Sequence, residues 1–195
     1  MKPDYNRAAR MAYKTLLALH IESLPVDPLQ ILSFCNNTVS HSYEDMMARV
    51  GEYDYFSFKQ YYMEGKDALT IRRTLDNGKC IYECYYANRG NPFRRRFTLA
   101  HELGHIILKH SMEEIWEERE ADYFASQLLA PHPILQLLRE NNLCTPEYVA
   151  DMFCLSKSAA TIAVNQPNHT PDADIYGQIV KQFSDYLTVK SLYSA

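Results

Sequence analysis

Arg96-Phe97-Thr98-Leu99-Ala100-His101-Glu102-Leu103-Gly104-His105 is the stretch around which the rest of the chain is arranged. It holds His-Glu-x-x-His inside a run with the composition of a helix. Each helical residue turns about 100°, so His101 and His105 fall roughly 40° apart on one face, one turn from each other. Two imidazoles so placed can grip a single metal ion. Glu102 beside them can act as a general base towards water activated by that ion. The expected metal is Zn2+, and it requires a third protein ligand.

Ser111-Met112-Glu113-Glu114 reads as a capping box, with Ser at the N-cap and Glu three residues later. A second helix is therefore predicted from about Met112 to about Leu129, ahead of Pro131 and Pro133. It carries Glu113, Glu114, Glu117, Glu118 and Glu120, which helical phase separates. Ile115, Ala121, Ala125, Leu128 and Leu129 form an apolar stripe, and Glu118 falls along its middle with Asp122 one turn on. Glu117 lies at the edge of that stripe, Glu120 points away, and Glu114 is taken up by the cap. A carboxylate in a buried stripe is costly unless it is paired or bound to metal. Glu118 is thus the candidate third ligand. Asp122 is placed to orient a ligating histidine by accepting its other N–H.

RFTLAHELGHIILKH followed by EREADYFASQLLAP resembles the ImmA/IrrE family of bacterial metallopeptidases, found on phages, integrative elements and bacterial chromosomes. That family is similar in turn to the gluzincins, with HExxH on one helix and a Glu on the next, followed four residues later by Asp or Asn. The resemblance puts zinc on His101, His105 and Glu118, makes Glu102 the catalytic residue and makes Asp122 a support behind the metal ligands. It implies an α+β fold, mostly helical; with the N-terminal helix and the tail added from pattern alone, a zincin-like core is expected over residues 1–131, with a small sheet or hairpin beside the HExxH helix. A helical, helix-turn-helix-like region would follow over residues 132–195. It also implies a zinc-dependent endopeptidase. Its substrate would be a helix-turn-helix repressor, whose cleavage releases a mobile element or a stress regulon. The alternative is a regulatory protein whose zinc maintains the fold and which inactivates a repressor by binding alone. The resemblance is specific over residues 96–131 and looser over residues 27–165.

Composition fits this picture. Of 195 residues, 47% are apolar and 23% charged, as in a globular protein with a substantial core. The net charge of −4 gives no general attraction to nucleic acid or to an anionic membrane. No run approaches the roughly 18 apolar residues of a membrane span. MKPDYNRAARMAYK has no long apolar core, so it does not read as a secretory signal. Cys35, Cys80, Cys84, Cys144 and Cys154 are odd in number and scattered, which points to reduced thiols in a cytoplasm.

Along the chain, residues 5–20 read as a helix burying Ala9, Tyr13, Leu16, Leu17 and His20. Asp27 and Pro28 start another, which ends by Asn36-Asn37. Residues 38–40 suit a short strand and residues 42–50 a short helix. The aromatic segment 51–65 leans to a helix near residues 57–63. Two β-rich runs, residues 68–74 and 79–86, flank Asn77-Gly78, a strong hairpin signal. By the resemblance, the edge strand of this hairpin would receive substrate backbone. Arg94-Arg95-Arg96 reads as a solvated helix start with salt bridges. His110 faces about 180° from His101 on the same helix, and so is not a ligand candidate. Further helices are expected over residues 134–141, 146–153 (capped by Thr145) and 157–165 (capped by Ser156). The last pair has a helix-turn-helix rhythm. Its second helix offers Lys157, Asn165 and Gln166 among alanines and apolar residues, which suits packing or protein docking better than base contacts. A linker leads to a single terminal helix over residues 175–192.

Overall fold

Asn77 and Gly78 close the predicted hairpin. Gly78 takes a φ of +77°, which a side chain would oppose, and the Asn77 side chain accepts from the Lys79 N–H at 3.0 Å. In the computed structural model, which describes residues 2–50, 56–57, 67–111, 114–167 and 173–193, the chain forms two compact units. One is Asp27–His110; the other joins Met1–Val26 to Ser111–Ala195. Together they make an α+β fold in which helices dominate, as expected.

Helix α1 (Tyr5–Ala18) belongs to the other unit, so the order in the unit Asp27–His110 starts with α2 (Pro28–Phe34), then β1 (Thr38–Ser42), α3 (Tyr43–Val50), β2 (Ala68–Thr74), β3 (Cys80–Tyr86) and α4 (Pro92–Leu108). Asp27 caps α2 by accepting from the Leu29 N–H at 2.9 Å, and Ser42 does the same for Asp45 at 3.0 Å. The sheet order is β1-β3-β2. β2 runs antiparallel to β3, pairing Thr70 with Cys84, while β1 runs parallel to β3. A parallel neighbour needs a long connection, and here α3 and the residues after it supply it. α4 packs against β2 and β3, so the His-Glu-x-x-His helix lies on this small sheet. Most of the aromatic segment 51–65 lies outside the described residues; Phe56 and Ser57 are helical.

Among the described residues the other unit is all helical: α1 (Tyr5–Ala18), α5 (Ile115–Leu129), α6 (His132–Glu140), α7 (Pro146–Phe153), α8 (Lys157–Asn165), α9 (Ala173–Gln182) and α10 (Ser184–Tyr193). α1 packs on α5. Ala8, Ala9 and Ala12 on α1 and Ala121 and Ala125 on α5 are all buried, and side chains this small allow close approach. Fully buried Phe124 and Leu128 fill the remainder; truncating either would cost roughly 2–5 kcal/mol. α9 covers α1 and α6, and the Gln182 amide donates to the carbonyls of Leu16 and Ile21 at 2.9 and 2.7 Å. Thr145 and Ser156 cap α7 and α8 as predicted, accepting from the N–H of Tyr148 and Ala159.

Three expectations are corrected in this unit. α1 ends at Ala18, with His20 exposed in a left-handed conformation rather than on the buried face. α5 starts at Ile115 with Glu114 at its N-cap, and Glu114 makes no side-chain capping bond. Met112 and Glu113 of the expected capping box lie outside the described residues. The terminal helix is interrupted at Phe183, which is fully buried. No helix among the described residues is long and apolar enough to cross a membrane.

Candidate metal centre and general base

Asn91 starts α4 by accepting from the N–H of Phe93 and Arg94, and Pro92 occupies the first turn, where its missing N–H costs nothing. The arginine run behaves as a tethered helix start. Arg95 donates to the Asn88 carbonyl at 2.6 Å and to its side chain at 3.0 Å, and Arg94 pairs with Asp67. Leu99, Ala100, Leu103, Ile106 and Leu108 are buried and seat the helix. That seating leaves His101 and His105 half-buried, side by side at the boundary of the core.

The two imidazoles converge. His101 Nε2 and His105 Nε2 are 3.0 Å apart, with ring centroids 4.7 Å apart and an interplanar angle of 65°. Two nitrogens bound to one tetrahedral zinc at about 2.0–2.1 Å would lie roughly 3.3 Å apart. The observed pair is therefore within a small ring adjustment of the spacing that a shared ion needs. Neutral imidazole nitrogens are also the donor type zinc prefers. The pair fits the metal.

Glu102, between them in sequence, is buried at 9% exposure. Behind it on β3 stands Cys84, fully buried. Burial, with the neighbouring Glu102 carboxylate adding to it, pushes the Cys84 thiol up to about 12. Cys84 therefore stays a neutral thiol and acts as packing beneath the carboxylate, not as a nucleophile or thiolate ligand.

Glu118 and Asp122 belong to the other unit, one helical turn apart on α5, and both are exposed. This corrects the placing of Glu118 in the middle of a buried stripe. The buried line of α5 runs through Glu117, Glu120, Ala121, Phe124 and Leu128, and Ile115 is 74% exposed. Glu120, expected to point away, is 2% exposed. It accepts from the Asp4 N–H at 2.8 Å and from Arg7 at 3.1 Å. Glu117, also buried, accepts from the Ser111 N–H at 3.3 Å. Paired carboxylates can occupy a core face, so counting only apolar residues misplaces that face by part of a turn.

One residue beside the histidines escaped the helical-phase argument. His110 Nδ1 lies 3.0 Å from His105 Nδ1. α4 stops at Leu108, and Lys109 turns the chain through a left-handed φ of 56°, so His110 no longer follows helical phase. A signal was present: a new helix expected to begin just after Ser111 requires the first to break before it, which makes phase at residue 110 meaningless.

No curated protein matches the chain. The sequence profile of the IrrE N-terminal-like domain, a peptidase family, matches residues 53–165, which includes the His-Glu-x-x-His helix, the whole of α5 and the α7–α8 pair. Since that match spans more than half of the chain, this protein belongs to the IrrE N-terminal-like peptidase family.

Proposed function

We propose that the protein is a zinc-dependent endopeptidase of the ImmA/IrrE type, acting in the cytoplasm on a helix-turn-helix transcriptional repressor. The observation that carries this reading is the convergence of His101 and His105 Nε2 at 3.0 Å with the buried Glu102 carboxylate between them in sequence. His101, His105 and Glu118 are the proposed ligands, each able to offer one nitrogen or oxygen. Bound zinc would supply Lewis acidity, lowering the pKa of water to about 7 and polarising a peptide carbonyl.

The rest of the work falls to the chain. Glu102 takes the proton of the attacking water and then passes it to the leaving amine. Half-burial of the two histidines keeps them on the wall of the core, where their rotamers are restrained by packing. Asp122 is assigned to the Nδ1–H of His101, because His110 already meets Nδ1 of His105. Among the described residues β2 pairs with β3 on one side only, so its other edge can accept an extended substrate segment by strand addition.

Co-expression with the repressor-like protein encoded nearest the gene tests this. Wild type should yield repressor fragments and Glu102→Gln none. A repressor inactivated but intact with both proteins would support the non-proteolytic binding alternative instead.

A further inference from the structure

Three imidazoles stand in series at the end of α4. His105 presents Nε2 to His101 and Nδ1 to His110, at 3.0 Å in each case. The rings of His105 and His110 meet edge-on, with centroids 4.9 Å apart and an interplanar angle of 75°. Two ring nitrogens at this separation share one hydrogen bond, so one Nδ1 carries the proton and the other accepts it. The backbone fixes the same pair. After the left-handed turn at Lys109, the His110 N–H donates to the His105 carbonyl at 3.0 Å, and His110 is 8% exposed.

We propose that His110 is a positioning residue: its Nδ1 accepts the Nδ1–H of His105 and so fixes the tautomer and ring plane in which His105 can ligate a metal. This rests on the metal-binding reading of His101 and His105. A histidine that ligates through Nε2 needs its lone pair there, so its proton must sit on Nδ1 and needs an acceptor. His110 must then be bare at Nδ1 and carry its own proton on Nε2. The usual acceptors for such a proton are a carboxylate, a backbone carbonyl or water. A neutral imidazole orients the ring without adding negative charge, which leaves the net charge of the centre to its carboxylate ligand. Without this acceptor, His105 loses the hydrogen bond that favours the ligating tautomer and fixes its ring plane.

The test compares zinc affinity, by competition with a chromophoric chelator, across wild type, His105→Ala, His110→Asn, His110→Gln and His110→Phe. Absorption bands of the Co2+-loaded proteins give a second readout, and melting of the metal-free proteins controls for folding. Asn places an amide near the position of imidazole Nδ1, Gln places it near Nε2, and Phe keeps the ring without an acceptor. We expect Phe and Gln to bind zinc about 10–100-fold more weakly, as loss of such a partner typically does, with altered Co2+ bands. Asn should restore most of the affinity and the wild-type bands. Wild-type affinity in His110→Phe would overturn the proposal, as would an Asn variant no better than Phe with an unchanged metal-free melt. Equal, weak binding by wild type and His105→Ala would remove the metal reading itself, and the proposal with it.

Discussion

The two units solve the burial of polar groups in opposite ways. In the helical unit, unlike groups meet. The Tyr13 hydroxyl donates to Gln127 Oε1, which also accepts from the His132 N–H at 3.3 Å. Arg139 donates to His132 Nε2 at 3.1 Å and to the Val164 carbonyl at 2.7 Å, and Glu120 takes two donors from the start of the chain. Donor faces acceptor at each contact, and the network ties α1, α5, α6 and α8 together. At the end of α4, like meets like: Nε2 faces Nε2 and Nδ1 faces Nδ1. Such pairs share one proton between two identical atoms, so the tautomers of three rings are linked in a chain. The first pattern holds helices in place. In the second, release of the proton between the two Nε2 atoms leaves two lone pairs converging on one point, which is what a metal requires.

If this contrast is right, changes at the end of α4 should alter chemistry with little effect on stability, and changes in the helical network should do the reverse. The largest effect is expected for Glu102→Gln. Repressor cleavage in the co-expression assay should fall by about 10²–10⁴-fold, the usual worth of a general base, while zinc content stays at the wild-type level. Next comes Glu120→Ala. It removes the buried acceptor shared by the Asp4 N–H and the half-exposed Arg7, leaves a gap in its place, and should lower unfolding free energy by roughly 1–3 kcal/mol in urea titration, with zinc retained.

His132 gives a pH-dependent version of the same contrast. Burial, with the Arg139 guanidinium adding to it, pushes His132 down to about 4. Unfolded, it titrates near 6.5, so between these values the unfolded chain binds more protons than the folded one. Its contribution to stability is therefore complete above about pH 6.5 and is lost as pH falls through about 4. Unfolding free energies from urea titration should drop over that window by on the order of 2 kcal/mol, and the part due to this residue should vanish in His132→Leu. The smallest effect belongs to Asn91→Ala, which removes the cap of α4 and should cost about 1 kcal/mol without disturbing the histidines.

What could be read in advance follows from range. His101 and His105 were legible because residues four apart on a helix meet whatever surrounds them. Gly78, Asp27, Thr145 and Ser156 were legible because turns and caps are decided within a few residues. The face of α5 was not. Glu120 is buried because Asp4 and Arg7, far away in sequence, supply its donors, and no local pattern announces that pairing. His110 was hidden for the opposite reason. A single left-handed residue, Lys109, takes the chain out of helical phase, so extrapolating the helix by two residues turned a neighbour of His105 into its opposite.

The assignment of Glu118 over its buried neighbours is the point on which the account turns. Zinc affinity of wild type, Glu118→Ala and Glu120→Ala, each measured by chelator competition on folded protein, tests it directly. The account predicts that wild type and Glu120→Ala bind zinc tightly and that Glu118→Ala does not. Tight binding by Glu118→Ala, or loss of zinc from Glu120→Ala alone, would contradict it.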